Sequence, residues 1–256
     1  MREKAFSVGI YMIVSEIMTT KLVTVNYDDT LSHAANLFRQ YQFHHLPVVR
    51  TVRRRTDDKN QTPHPSKLLL EGLITSQDID LVVAVAKQSS SGDILHHPWQ
   101  EQRVIEVMHR ASIRVTPNTS VAAAAQILVE RGLNALPVVK YEHTETETHT
   151  LLVGLLTRSD LLIALARSLG AYEPGMELVI QLPMGELEPL AQTLLLASEL
   201  HVQIRSILAS PLEGNVPRSV TLRLGTINPA PLLVRLQEAS IQYTFVDPLL
   251  EDDEHD

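Results

Sequence analysis

Two stretches of this chain are copies of one another, and that duplication limits the folds open to it more than any other feature. Gly72-Leu73-Ile74-Thr75-Ser76-Gln77-Asp78 and Gly154-Leu155-Leu156-Thr157-Arg158-Ser159-Asp160 share a Gly, a Thr and an Asp at equal spacings, each ahead of an apolar helical run. A matching series lies upstream of each. Ile17-Met18, Val23-Thr24-Val25, Asp29-Thr30-Leu31 and Phe43-His44-His45-Leu46-Pro47-Val48-Val49 lead into the first copy. Val107-Met108, Ile113-Arg114-Val115, Thr119-Ser120-Val121 and Leu133-Asn134-Ala135-Leu136-Pro137-Val138-Val139 lead into the second. Met18 to Pro47 and Met108 to Pro137 are each 29 residues apart. Two copies of one supersecondary unit pack against each other to complete a core that neither closes alone.

The local patterns agree. Thr30 and Ser120 are N-cap candidates ahead of alanine- and leucine-rich helical runs, while Leu-Pro-Val-Val and the Gly-to-Thr stretches read as short buried strands. The segments between those strands, Arg50 to Lys67 with Arg53-Arg54-Arg55 and Tyr141 to Thr150, are polar and aperiodic and predict mobile hairpin loops. The basic triplet reads either as a solvated loop or as a group that reaches a ligand phosphate. The first repeat spans 14–88, a linker with Ser89-Ser90-Ser91-Gly92 and His96-His97-Pro98-Trp99 spans 89–103, and the second repeat spans 104–167. Residues 1–14 read as a leader.

Gly170 to Gly175 then marks a boundary. Beyond it, strand-like alternation at Leu178 to Leu182, Val202 to Ala209, Val220 to Leu224 and Tyr243 to Val246 interleaves with helical runs at Glu186 to Leu200 and Pro229 to Ser240. That order is βαββαβ, a ferredoxin-like pattern over 176–248, followed by an acidic tail at 249–256 that predicts disorder. The fold class is α+β (α/β).

A net charge of -8 argues against a nucleic-acid-binding surface, because phosphate contacts need a basic face. No cysteine is present, which removes disulfides, thiolate metal sites and a cysteine nucleophile. The N-terminus lacks the apolar core of a secretory signal and no run approaches the roughly 20 apolar residues of a membrane helix, which predicts a cytoplasmic protein without a membrane partner. No P-loop lysine, Gly-x-Ser-x-Gly elbow or His-Glu-x-x-His helix occurs, so the chain reads as no enzyme. His96-His97, His109 and the His143/His149 pair lack the helical spacing of a metal site, and no metal is expected.

With Met-Thr-x-x-x-Val-Thr-Val at Met18 to Val25, Leu-Pro-Val-Val twice and Gly-x-x-Thr-x-x-Asp twice, residues 14–167 resemble a tandem pair of cystathionine β-synthase (CBS) domains, a pseudo-twofold Bateman module of βαββα-type units. Residues 176–248 resemble an ACT domain, by element order and by Gly185 after the first strand. The combination is similar to acetoin-utilisation-type CBS–ACT regulatory proteins. What the resemblance implies is an adenine nucleotide (AMP, ADP or ATP) in the cleft between the repeats, with no cofactor. The Asp of one repeat would accept from the ribose hydroxyls, its Thr or Ser neighbours would touch ribose or phosphate, and the other repeat would cover the base. One site would use Thr157, Ser159 and Asp160 with Val23, Phe43, His44 and His45. The other would use Thr75 and Asp78 with Ile113, Leu133, Asn134 and Ala135.

An ionised carboxylate suits two vicinal hydroxyls, and a helix N-terminus suits a phosphate. Arg158 stands where Ser76 stands in the first copy and is expected to pair with phosphate, making the Asp160 site the tighter one. Gly185 is either an ACT ligand contact or a turn residue, and Asp78 and Asp160 read alone would be helix caps. The resemblance further implies a homodimer, through the apolar helices after Asp78 (Leu81, Val82, Val85) and Asp160 (Leu161, Ile163, Leu165), and an unidentified target protein that reads the state of the ACT domain. The alternative function is an interaction scaffold whose CBS clefts are empty.

Overall fold

The computed structural model describes residues 12–52, 67–88, 98–143, 147–212 and 216–246. The leader at 1–11, the basic triplet Arg53 to Arg55, the Ser89 to His97 part of the linker and the acidic tail lie outside the described residues. The chain divides into two compact units, residues 1–161 and 162–256.

Unit 1 holds both repeats. Helix α1 (Val14–Ile17) leads to strand β1 (Val25–Asn26), helix α2 (Leu31–Tyr41), strand β2 (His45–Val52), strand β3 (Lys67–Thr75) and helix α3 (Ser76–Gln88). The second repeat gives α4 (Val104–Val107), β4 (His109–Arg110), α5 (Val121–Glu130), β5 (Ala135–His143), β6 (Thr148–Thr157) and the start of α6 (Arg158–Ser168). Thr30 and Ser120 cap α2 and α5 as expected, their hydroxyls accepting from His33 N at 3.3 Å and Ala123 N at 3.2 Å. The strands form one six-stranded sheet with the path β1-β2-β3-β6-β5, and β4 pairs with β3. Both hairpins carry the same bulge, between Val48 and Val49 opposite Gly72 and between Val138 and Val139 opposite Gly154. The strands reach further than polarity suggested. Tyr141 to His143 pairs with Thr148 to Thr150, so most of that expected loop is ladder, because a paired backbone does not require apolar side chains.

The repeats are not closed on their own sequence. The core of the first is built from Val25, Leu31, Leu46, Val48 and Ile74, and it takes in Val104, Val107 and Met108 from the segment that opens the second. Val14, Ile17 and Met18, from the segment that opens the first, pack instead with Val115, Leu128, Leu136 and Leu156 of the second. Each opening segment has crossed to the other repeat. Two glycines receive the crossing: a Cβ on Gly154 would meet Met18 Sδ at 2.5 Å, and one on Gly72 would meet the His109 carbonyl oxygen at 2.5 Å and Met108 Sδ at 3.0 Å. Trp99, placed by composition in the linker, forms a 3₁₀ turn (Trp99–Glu101) packed against the first core, since burying an indole outweighs the polar character of its neighbours.

Unit 2 follows the βαββαβ order: β7 (Met176–Gln181), α7 (Glu188–Glu199), β8 (Ile204–Leu212), β9 (Val216–Leu224), α8 (Ala230–Glu238) and β10 (Tyr243–Val246). Its sheet has the order β10-β7-β9-β8 with antiparallel neighbours, the split-βαβ topology. Leu178, Ile180, Leu222 and Leu224 from the sheet and Leu232, Leu236 and Ala197 from the helices make its core. Gly185 ends a tight turn after β7 with φ of 79°, and Met184 before it has φ of 54°. A positive φ is sufficient reason for glycine there without any ligand.

Candidate functional site

Each Thr-x-x-Asp motif folds into a reciprocal cap with nearly the same dimensions in both repeats. Thr157 N and Oγ1 each donate to Asp160 Oδ2 at 2.8 Å, and Asp160 N donates back to Thr157 Oγ1 at 3.2 Å. Thr75 and Asp78 repeat this at 2.8, 2.8 and 3.2 Å. The threonine is the N-cap and the aspartate sits three residues on, so the motif is a capping box made with a carboxylate. The cap reading is therefore correct for one oxygen of each aspartate. The second oxygen, Oδ1, is not used by the cap.

The two Oδ1 atoms meet different partners, and the crossing segments supply both. Thr19 Oγ1 lies 3.5 Å from Asp160 Oδ1, too long for an ordinary O–H···O bond. His109 Nε2 lies 2.9 Å from Asp78 Oδ1 and forms a salt bridge when protonated. Burial pushes the Asp78 carboxyl up, but the hydrogen bonds from the Thr75 hydroxyl and backbone and from His109 outweigh it and hold the pKa below its ordinary value.

A cavity of about 640 Å³ opens beside the Asp160 cap, within the range that takes a nucleotide-sized molecule. Thr157, Arg158 and Ser159 line one side, and Val23, Phe43, His44 and His45 line the other. Asp160 stands behind this lining, beside Thr19, which does line it. Thr75 and Asn134, assigned by sequence to the other site, line this cavity too, whereas Asp78, Ile113, Leu133 and Ala135 do not. Within each repeat a carbonyl takes the motif's first helical N–H, His44 O from Ser76 N at 3.2 Å and Asn134 O from Arg158 N at 3.2 Å, so Asn134 sits against the Arg158 that lines the cavity. Lys21, Gln42 and Gln77 line the cavity and were not singled out by sequence. Lys21 lies inside the Met18 to Val25 motif, so the motif itself carried the signal.

Arg158 differs from expectation. Its Nε donates to the Leu133 carbonyl at 2.8 Å and its Nη2 to the Leu128 carbonyl at 3.4 Å, so the guanidinium binds one carbonyl in the last turn of α5 and one just beyond the helix. A cation at those carbonyls is favourable, and the side chain is held there rather than aimed at a phosphate.

The cavity is edged by Lys21, His44, His45 and Arg158, and among the described residues no carboxylate lines it. His45 is pushed below its ordinary pKa of 6.5, first by burial and then by neighbouring His44, with Asp78 opposing. Because the folded value is the lower one, the unfolded chain takes this proton first, and stability falls as pH drops below about 6.5 toward the folded pKa. Denaturant midpoints between pH 8 and pH 5 are expected to fall less steeply for His45→Gln than for the parent chain. Parallel slopes would contradict this.

The CBS domain profile matches residues 14–84 and 104–167, more than half of the chain. The chain belongs to the CBS domain family. The unit-1 repeats are thus tandem CBS domains, and their architecture is consistent with a Bateman module. A CBS domain-containing protein of Dictyostelium discoideum is 25% identical over 163 residues, covering 64% of this chain and 97% of that protein. Among solved structures, a Vibrio cholerae protein assigned to acetoin utilization is 22% identical at a TM-score of 0.45, covering 64% of this chain and 98% of its own. CBSX2, solved in complex with AMP, is 21% identical at a TM-score of 0.40, covering 61% of this chain and 97% of its own.

Proposed function

We propose that this CBS-domain protein is a non-enzymatic regulatory sensor that binds one adenine nucleotide in the cavity beside Asp160. The observation that carries this reading is a capped carboxylate whose Oδ1 has, among the described residues, just a long 3.5 Å contact to Thr19, which lines a cavity edged by Lys21, His44, His45 and Arg158. A ribose diol donates to the carboxylate, and the phosphates face Lys21, His44 and His45. Phe43, partly exposed and stacked on Tyr41 with ring centroids 5.6 Å apart, offers its free face to the base. In this reading, phosphate beside His45 supplies the negative charge that favours its proton, so affinity for AMP rises as pH falls from 8 toward 6.

The second part of the reading concerns the signal. The C-terminal unit, over about 176–248, acts as an ACT domain, with Gly185 near its own ligand position, and passes the nucleotide-bound state to a partner protein in the cytoplasm. Binding alters function only through unequal affinity for two arrangements of the module. The helices after the two aspartates present Leu81, Val85, Ile163 and Leu165 to solvent, which fits a homodimer with isologous apolar contacts. Those exposed faces also suit the scaffold alternative with empty clefts.

Thermal denaturation with AMP, ADP and ATP separates the two. At about 100 times Kd a ligand adds about 2.7 kcal/mol, which for a chain of this size raises the midpoint by several degrees. The expected result is such a shift with at least one nucleotide. No shift with any of the three leaves the scaffold.

A further inference from the structure

The two aspartates are held by matching caps, yet their outer oxygens meet different partners. The difference comes from the residue that the crossing segment delivers. Thr19 follows Met18, which packs on Gly154, and pairs with Leu155; His109 follows Met108, which packs on Gly72, and pairs with Leu73. Thr19 and His109 are therefore structural equivalents, each facing the aspartate of the other repeat. One is a hydroxyl at 3.5 Å and the other an imidazole nitrogen at 2.9 Å.

We infer that the residue at this crossing position decides which CBS cleft accepts a sugar diol, and that His109 is an internal occupant of the Asp78 carboxylate that keeps the second cleft closed. This rests on the nucleotide reading above. His109 Nε2 stands where a ribose hydroxyl would stand, and it is charge-assisted when protonated. The Asp78 side chain is only 16% exposed beneath it, whereas the imidazole itself is 71% exposed. A side chain that covers a buried acceptor while remaining solvated itself can be displaced without breaking a core. A ligand entering this cleft must first exchange that bond for its own, and a hydrogen bond to a charged group is stronger than one between neutral groups.

The rest of the second cleft explains why the exchange is unfavourable for a nucleotide. By the common spacing of the repeats, Ala111, Leu133, Asn134 and Ala135 are the counterparts of Lys21, Phe43, His44 and His45, although Asn134 also lines the first cavity. At those four positions stands neither a cation nor an aromatic ring to offset the loss of the His109 contact. The latent site is thus one for an uncharged nucleoside, and adenosine is the suitable probe.

Equilibrium dialysis with radiolabelled AMP and adenosine on the full chain tests this. The parent chain is expected to bind one equivalent of AMP. His109→Thr, which copies the other repeat, is expected to gain a second equivalent of adenosine with affinity at least about tenfold above any second-site binding in the parent, the ratio that 1.4 kcal/mol gives. Adding Asp78→Asn to His109→Thr is expected to remove that equivalent again. Asp160→Asn with His109→Thr is expected to retain the new equivalent alone, and each variant's fold is checked by its denaturant midpoint. Two equivalents in the parent chain, or one in a folded His109→Thr chain, overturns the inference while leaving the nucleotide reading intact. No AMP or adenosine bound by the parent chain overturns the nucleotide reading and this inference together.

Discussion

Asp160→Asn is expected to lower AMP affinity at least about 100-fold while leaving the fold in place. Two donated hydroxyl bonds to a carboxylate at about 1.5 kcal/mol each give about 3 kcal/mol, and each 1.4 kcal/mol is a factor of ten. The amide oxygen of Asn still accepts from Thr157 N and Oγ1, which now reach Asp160 Oδ2 at 2.8 Å, so the cap on α6 survives. Asp160→Ala removes both roles. It is expected to match the binding loss of Asp160→Asn and in addition to cost about 1 kcal/mol of stability through the missing cap. Titration calorimetry with AMP and urea denaturation measure the two effects separately. AMP affinity in Asp160→Asn equal to that of the parent would show that Asp160 is a cap and nothing else.

The second large effect is expected at Gly72. Alanine there places a Cβ at 2.5 Å from the His109 carbonyl oxygen, and backbone cannot rotate away as a side chain can. β4 must shift from β3, where Gly72 pairs with Arg110 and Leu73 with His109. Overpacking of this kind costs about 1–3 kcal/mol. Gly154→Ala meets only the Met18 thioether, at 2.5 Å from Sδ, and a methionine has the rotamer freedom to yield. The expected order of denaturant midpoints is therefore parent, Gly154→Ala, then Gly72→Ala. Moving β4 also draws His109 from Asp78, so Gly72→Ala is expected to weaken the closure of the second cleft as well as the fold. Equal midpoints for the two variants would argue against a rigid contact at Gly72.

Acid stability bears on the same site. The lowered pKa of Asp78 means that its contacts contribute stability above its unfolded value of 3.8 and lose it as pH falls through the folded value. Removing His109 takes away one of the contacts that lowers this pKa. His109→Thr is accordingly expected to shift the acid limb of the unfolding curve to higher pH.

Much of this was present in the residue order, because it depends on residues near each other in the chain. The caps at Thr30, Ser120, Thr75 and Thr157 are contacts across three residues, and a hydroxyl or carboxylate ahead of a helical run satisfies the same orphan N–H groups wherever it occurs. The duplicated motif likewise announced matching pairs of strands, and alternation in the C-terminal third announced its βαββαβ order, while the matching bulges came from the structure. The Val23, Phe43 and His45 side of the cavity followed from the resemblance of those motifs to CBS domains. Lys21 lies within the Met18 to Val25 motif, but a lone lysine carries no periodicity that would mark it as a cavity residue.

What only the tertiary structure decided is which repeat each opening segment serves. Val14 to Met18 and Val104 to Met108 have nearly the same apolar character, so either could fill either core; the choice depends on shape and on chain closure over long separations, such as the 141 residues between Thr19 and Asp160. That choice sets His109 on Asp78 and Thr19 beside Asp160, and it turns two equal motifs into unequal sites. The carbonyls that claim Arg158 were equally hidden, since a helix end offers acceptors that no residue type announces. The amino-acid sequence by itself determined that two aspartates would be held at two helix starts; the packing of each methionine against the other repeat's glycine determined which residue, Thr19 or His109, each outer oxygen meets.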